Sequence, residues 1–416
     1  MQIRVDRLRE DLKLLQPVVP KKPTLAVLTS VLLRDGQAVA TDLEETIILD
    51  APEVEGEYLI PHQPVLELLK YVPGNELLTI ESEGKSLHLT WNGGKADYDA
   101  SEPKDYPPVP EPETRAEGKF DGDHLVAVLT SVAGYCATDQ ARPVLSGVTL
   151  VLGETIEAAA GDGFRMAYQT LPSSLPVEET VIVPTGFIRL LAHLWSKAPP
   201  AVPMESSLVR QITAKRELEL ALSDGILTAR FGKVTLIGKL IEGTPPSWIQ
   251  LIPQETPLKV RVFASDLERA VHRLQGIAKD GTGIVRLVWT ENALTVSARS
   301  ADKGGVEAEV AIQTEGGPGR IAINVSYLLS YLKGREGLLT MCARNESSPI
   351  LLRHGTSPWV VIMPMMVQWE PGVEGEEAEA EGEEPKAEVE EAEEPKEPAE
   401  PEAPPEVKPK KQRHRK

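Results

Sequence analysis

Cysteine is nearly absent from this 416-residue chain: only Cys136 and Cys342 occur, with no Cys-x-x-Cys spacing and no Cys/His cluster. That excludes a disulfide scaffold, a zinc ribbon and an iron–sulfur site. Long apolar runs are missing as well. The longest, Trp359 to Trp369, is broken by Pro364 and Gln368, well short of the ~18–20 residues that a membrane-spanning helix requires. No apolar export signal follows Met1-Gln-Ile-Arg, so no membrane partner and a cytoplasmic location are the expectation.

The motifs of common chemistries are also wanting. Gly84-Lys85-Ser86 resembles the end of a phosphate loop, but Thr79 stands where that loop needs glycine. The segment reads instead as a hairpin turn. Gly161-Asp162-Gly163 lacks dinucleotide-binding spacing, and the seven histidines are scattered without metal-ligand spacing. No nucleophile, base and orienting group can be assembled. Neither an enzyme nor a metal or other cofactor is expected.

What is abundant is negative charge, a net −19 unevenly distributed. Residues 370–416 hold 17 acidic and eight basic side chains, six of the basic ones between Lys408 and Lys416. Eight prolines and only Val373, Val389 and Val407 as large aliphatics leave this tail too little surface to bury. It is expected to be disordered. The body, 1–369, keeps a net −10, and an acidic body ordinarily argues against nucleic acid unless positive charge gathers locally.

The body repeats. Pro23-Thr24-Leu25 opens a strand-like run ending at Thr41-Asp42, and Pro143-Val144-Leu145 opens another ending at Gly161-Asp162, each marker displaced by 120 residues. Ile60-Pro61 recurs as Val183-Pro184 and, loosely, as Ile323-Asn324. Three tandem units of one kind are the economical reading. Each begins with a short strand and an amphipathic helix, roughly Asp6–Leu15, Asp123–Val132 and Ser265–Leu274, with Asp123 and Ser265 as candidate N-caps. Alternating strands come next, turning at Asp35-Gly36 in the first unit. A second helix carries apolar residues at helical spacing, as in Phe187/Leu190/Leu191/Leu194. Hairpins such as Leu77–Ser82 with Ser86–Trp91 complete each unit, and proline-rich connectors at Glu102–Glu113 and Ile252–Pro257 separate the units. The fold class is α+β: two helices and about eight antiparallel strands per unit. The boundaries are 1–116, 117–253 and 254–369, with the tail from 370 to 416.

The polar helix faces gather cations: Arg7 and Lys70 in unit one, Arg189 and Lys197 in unit two, Arg269, Arg273 and Lys333 in unit three. Such faces are usually just solvated, and nucleic-acid contact is the sharper alternative. Lys22 and Arg142 precede the first strands of their units, and this repeated position favours the sharper reading. The apolar, methionine-rich segment Trp359–Val367 reads as a terminal strand that also suits an adaptable groove.

Together these features resemble the bacterial DNA polymerase III β subunit, the sliding clamp. Its most recognisable segments have counterparts in Arg142-Pro-Val-Leu-Ser-Gly-Val148, Ala160-Gly-Asp-Gly-Phe-Arg-Met166, Lys239-Leu-Ile-Glu-Gly243 with Pro246, Ile323-Asn-Val-Ser-Tyr327, Ser347-Ser-Pro-Ile350 and Val361-Ile-Met-Pro-Met365. The resemblance spans about residues 1–367 in consistent order. It implies three clamp domains and a head-to-tail homodimeric ring around double-stranded DNA, with the cations named above facing the DNA and Tyr106 and Ile277 near the dimer seam. It implies a processivity factor with no catalytic site, associated with the nucleoid. The partners implied are the replicative polymerase catalytic subunit, the clamp loader and other proteins bearing the clamp-binding motif.

The resemblance also implies a partner groove. One wall is Leu145, Gly163, Phe164, Arg165, Met166, Pro246 and Leu251. The other is Asn324, Tyr327, Ser348, Val361, Ile362, Met363, Pro364 and Met365. Phe164 stands where the family often has histidine, Gln250 where arginine is common, and Lys22 where an arginine faces DNA. The tail has no counterpart in the family. A structural repeat protein that binds no DNA, or an enzyme with an unrecognised site, is the alternative reading.

Overall fold

The computed structural model describes residues 1–139, 141–199 and 215–369. The chain divides into Met1–Val367 and Gln368–Lys416, and every helix and strand among the described residues lies in the first of these parts. The expectation of a disordered tail lies outside the described residues.

Six helices are described: α1 (Val5–Leu15), α2 (His62–Leu69), α3 (Gly122–Ala133), α4 (Thr185–Lys197), α5 (Ala264–Asp280) and α6 (Val325–Leu332). They pack in pairs, α1 on α2, α3 on α4 and α5 on α6. Each buries the stripe its spacing dictates, as Val5, Leu8, Leu12 and Leu15 do in α1. The helix starts differ from expectation. Asp121, not Asp123, caps α3, accepting the His124 backbone N–H, while α5 begins at Ala264 behind Phe263 with no side-chain cap. Asp123 is drawn elsewhere, accepting hydrogen bonds from Trp195 Nε1 at 2.9 Å and from Arg216.

Among the described residues all strands pair antiparallel, in four sheets. Asp35 and Gly36 both take positive φ in the first unit's tight turn, the backbone a two-residue hairpin demands. The first unit contributes two half-sheets of four strands. One, Gln2–Arg4, Leu77–Glu83, Ser86–Trp91 and Gly94–Asp99, stands alone. The other runs Glu57–Pro61, Ser30–Arg34, Gln37–Thr41, Glu45–Asp50 and continues into the second unit's Val234–Lys239, Ile226–Phe231, Glu217–Ser223 and Ala116–Asp121. The continuous register Leu49↔Val234 through Glu45↔Gly238 makes that joint.

The second joint repeats the first. Glu179–Pro184, Gly147–Leu152, Thr155–Gly161 and Arg165–Pro172 continue into Trp359–Ile362, Ile350–Arg353, Leu338–Ala343 and Leu258–Phe263, with a short ninth strand, Gln313–Glu315. Arg165↔Ile362 and Tyr168↔Trp359 set its register. The third unit's remaining half-sheet, Gly319–Asn324, Ile284–Trp289, Ala293–Ser300 and Gly304–Ala311, stands alone. Two edges of corresponding position are therefore left within the chain, Gly94–Asp99 and Gly304–Ala311.

One extended apolar core runs under the six described helices, and side chains such as Ile47, Leu49 and Leu236 at the first joint are wholly buried. The joint is also tied by charge. Asp11 on α1, 3% exposed, accepts from Lys233 Nζ at 2.6 Å. Burial pushes the Asp11 carboxyl upward, and Lys233 opposes that shift.

Candidate functional site: a groove at the second joint

The second joint carries an open apolar groove of about 690 Å3. Its floor is built by strand alternation. Val361 points into a cluster with Met166, Leu145, Trp248, Ile252 and Leu351, whereas its neighbours Val360 and Ile362 point into the main core. Ile362, 0% exposed, is thus not a groove residue. The two-residue period of a strand puts it on the opposite face. Trp248 sits in the short turn Trp248–Leu251 and donates its indole N–H to Thr149 Oγ1 at 2.9 Å. Its ring lies over Gly161, where a Cβ would come within 2.8 Å of it.

The rim comes from the turn Asp162–Arg165. Asp162 Oδ1 accepts the backbone N–H of Phe164 at 2.9 Å and of Arg165 at 3.0 Å, and Gly163 takes φ +94°, a conformation that favours glycine. Phe164 is held outward, 57% exposed, and stacks on Tyr327 at 6.4 Å. Met363, 46% exposed, is fixed opposite by its backbone N–H to the Phe164 carbonyl at 2.8 Å.

Arg165 ties the two units beneath that rim. Its guanidinium lies 5.0 Å from the Tyr135 ring and 4.9 Å from the Tyr327 ring. It donates to Ser330 Oγ at 2.6 Å, to the Gly134 carbonyl at 3.4 Å and to Asp162 Oδ2 at 3.1 Å. Burial raises the Tyr327 phenol, Asp162 adds to the shift and Arg165 opposes it. Burial also pushes the Cys136 thiol up to about 12 and shifts Cys342 upward. Neither cysteine is a thiolate nucleophile near neutrality.

Of the residues expected to form the groove, Gly163, Phe164, Arg165, Met166, Leu251, Ser348, Val361 and Met363 line it. Leu145 lies in the floor cluster, and Tyr327 abuts the rim. Asn324 caps α6 through Ser326 and Tyr327 N–H, while Met365 donates its N–H to the Ala322 carbonyl. Pro246, Asn324, Pro364 and Met365 are not among the lining residues. The sequence reading missed Trp248, Ile252, Pro253, Gln254, Glu255, Arg344 and Pro349, all of which line the groove. The proline connector Ile252–Pro257 was the signal for four of them, Ile252, Pro253, Gln254 and Glu255: a segment read as a spacer serves as a wall.

The cations scatter more widely. Arg7, Lys22, Arg189, Lys197, Arg273 and Lys333 are exposed, and none is in an ion pair among the described residues. Lys70 pairs with Glu67 and Arg269 with Asp266, each at 2.6 Å. Arg142 belongs with the groove turn: it donates to the Asp162 carbonyl at 3.3 Å and lies against Gly163. Tyr106 is 7% exposed and packs on Val27, Leu28, Leu32, Val39 and Leu59 of its own unit, so its ring offers little free surface to a seam. Ile277 is half-buried on α5, which packs against the edge strand Gly304–Ala311.

The DNA polymerase III beta subunit central-domain pattern matches residues 119–247, and the C-terminal-domain pattern of the same subunit matches 249–366. Together they cover well over half of the chain. The chain belongs to the DNA polymerase III beta sliding clamp family. The beta sliding clamp of Pseudomonas aeruginosa is 26% identical over 378 residues, covering 87% of this chain and 98% of that protein. That of Caulobacter vibrioides is 25% identical over 394 residues, covering 88% and 100%. The crystal structure of the Pseudomonas aeruginosa DNA polymerase sliding clamp with a ligand overlays with a TM-score of 0.77 at 25% identity, over 88% of this chain and 99% of that one. In this clamp-family chain the groove occupies the joint between the regions matched by the two domain patterns.

Proposed function

We propose that this chain works as a processivity factor: two copies close head-to-tail into a ring on double-stranded DNA, and the groove holds segments of the polymerase and of other replication proteins. The observation that carries the reading is the recurring joint. Twice within the chain, the last strand of one unit's half-sheet pairs with the last strand of the next unit's half-sheet. Gly304–Ala311 and Gly94–Asp99 are the third such pair, not joined to each other within the chain and suited to pairing with a second copy. Half-buried Val306 and Ala308 on one edge, and Ala96 and Tyr98 on the other, supply the apolar contact. Closing the ring removes both open edges, which otherwise invite aggregation.

A ring needs only weak, sequence-independent phosphate contacts, because topology prevents escape while it slides. Arg7, Lys22, Lys197, Arg273 and Lys333 suit that role, and an acidic exterior is compatible with it. The units 1–116, 117–253 and 254–369 are the three clamp domains. The groove, apolar with a few polar anchors, suits short segments of the polymerase catalytic subunit, the clamp loader and other motif-bearing proteins, bound weakly enough to exchange. Function lies in encirclement and docking rather than catalysis, in the cytoplasm on the nucleoid. The test is solution mass. A dimer near twice 45.3 kDa is expected, and a monomer at micromolar concentration would overturn the ring.

A further inference from the structure

The turns Asp42–Glu45 and Asp162–Arg165 are one turn in successive repeats. Each is closed by a strand pair, Thr41↔Thr46 and Gly161↔Met166. In each, the aspartate Oδ1 accepts two backbone N–H groups, from Glu44 at 3.0 Å and Glu45 at 2.8 Å in the first. In each, the second residue is left-handed: Leu43 at φ +82° and Gly163 at φ +94°. The fourth residue faces a gap between the end of that unit's first helix and the second helix of the next unit. At the second joint Arg165 fills the gap, seated between Tyr135 and Tyr327 with hydrogen bonds to Ser330 and the Gly134 carbonyl.

At the first joint the corresponding gap is open. It is a cavity of about 390 Å3 lined by Pro17 and Val18 beyond α1, Asp42 and Glu45 of the turn, and Gly186, Arg189, Leu190 and His193 of α4. Glu45 stands in the place of Arg165. Its carboxylate abuts the first turn of α4, where a Cβ on Gly186 would lie 2.6 Å from Oε1. Among the described residues, no cation lies within ion-pair distance of Glu45.

We propose that this niche binds the guanidinium of an arginine side chain presented by a partner polypeptide, with the Glu45 carboxylate as acceptor and the arginine stem against Pro17, Val18 and Leu190. The internal repeat supports the chemistry, since the same pocket of the fold already houses a guanidinium one unit further on. Charge supports it too: Glu45, standing where Arg165 stands one unit further on, carries the opposite sign, with Asp42 beside it. An arginine suits the space better than a lysine, because its planar fork of donors matches a carboxylate with two parallel hydrogen bonds.

The surroundings make the binding pH-dependent. Burial, with Asp42 and Glu44 beside it and Arg189 opposing, pushes the Glu45 carboxyl up to about 7. A seated guanidinium favours the ionised carboxylate, so binding releases a proton and strengthens as pH rises through 7. The other groups facing the niche act in fixed directions. Arg189 repels the ligand, as does any imidazolium on His193, Glu44 is engaged by Lys239 at 3.6 Å, and Pro17 and Val18 carry no charge.

The test titrates N-acetyl-arginine amide into the full-length protein, following the Val18 and Leu190 methyl resonances, with the citrulline analogue as the uncharged isostere. Millimolar binding of the arginine compound alone is expected, tighter at pH 8 than at pH 6. Glu45→Gln should weaken it roughly tenfold or more, and Glu45→Arg should abolish it by filling the niche from within. Should either variant misfold, Arg189→Gln provides the second reading at pH 9, where Glu45 stays ionised even without Arg189 to hold its carboxyl down, since removing the repelling charge should then tighten binding. No saturable shift in the wild type, equal binding of citrulline, undiminished binding by a folded Glu45 variant, or unchanged or weaker binding by Arg189→Gln would each overturn the proposal.

Discussion

Val306→Asp tests the third joint where it is most exposed to disproof. Val306 lies on the edge strand Gly304–Ala311, half-buried and packed on the core of its own unit. At the first internal joint the side chains Ile47, Leu49 and Leu236 are 0% exposed, which is the environment a seam would give Val306. Burying a valine fully is worth about 1.5–3 kcal/mol, so completing a half-buried one is worth about 1 kcal/mol. The substitution loses that and also places a carboxylate in an apolar seam, a further cost of about 2 kcal/mol or more even after the group adjusts its protonation. A head-to-tail dimer has two identical seams, so dissociation feels the change twice, about 6 kcal/mol in all. That raises the dissociation constant by about four orders of magnitude. Sedimentation across a nanomolar-to-micromolar dilution series reads this directly, with circular dichroism reporting whether the protomer remains folded. A folded variant that dimerises as tightly as the wild type would show that this edge is not the seam.

The same geometry sets three further outcomes. Met363→Asp or Tyr327→Ala should abolish stimulation of the polymerase while the dimer persists, because a charge or a gap then interrupts the groove rim; full stimulation by either would remove that residue from the site. Replacing Arg7, Lys22 and Lys197 by alanine should weaken DNA binding alike on all sequences and flatten its salt dependence by up to ~0.9 log unit for each phosphate no longer neutralised; a change in sequence preference would contradict sliding. His62 is buried with Nε2 donating to the Leu12 carbonyl at 2.8 Å, and burial lowers its pKa despite that bond. The unfolded chain therefore takes up a proton that the fold resists, and stability should fall as pH drops below about 6.5, by at most ~1.4 kcal/mol per pH unit. In His62→Gln that loss should be reduced, and an identical acid profile by chemical denaturation would refute the assignment.

Much of this architecture was legible in the sequence because its signals are local. The hairpin Ile226–Phe231 with Glu217–Ser223 and the buried stripes of α1 and α4 follow from periods of two and 3.6 residues, and the 120-residue displacement of matching segments exposed the repeat. The helix cap was misplaced by two residues because Asp121 and Asp123 are equally good caps in sequence. Only the pull of Trp195 and Arg216 on Asp123 separates them. What stayed hidden depends on distant meetings. Nothing local announces that Glu45–Asp50 pairs with Val234–Lys239, or that Glu255 of the connector meets Arg344 at 3.7 Å beside a groove. Arg142 reads as one more loop cation until Asp162 and Gly163, twenty residues later, are seen beside it. Ile362 was carried into the groove with its neighbours although the strand's own alternation turns it into the core.

The central claim is encirclement, and topology tests it without reference to any single side chain. Full-length protein loaded onto nicked circular duplex by a clamp loader should remain with the DNA through gel filtration at a salt concentration that abolishes simple phosphate binding. A single restriction cut should then release it, because a ring slides off an end. Loss from the intact circle at that salt, or retention after the cut, would contradict a closed sliding ring.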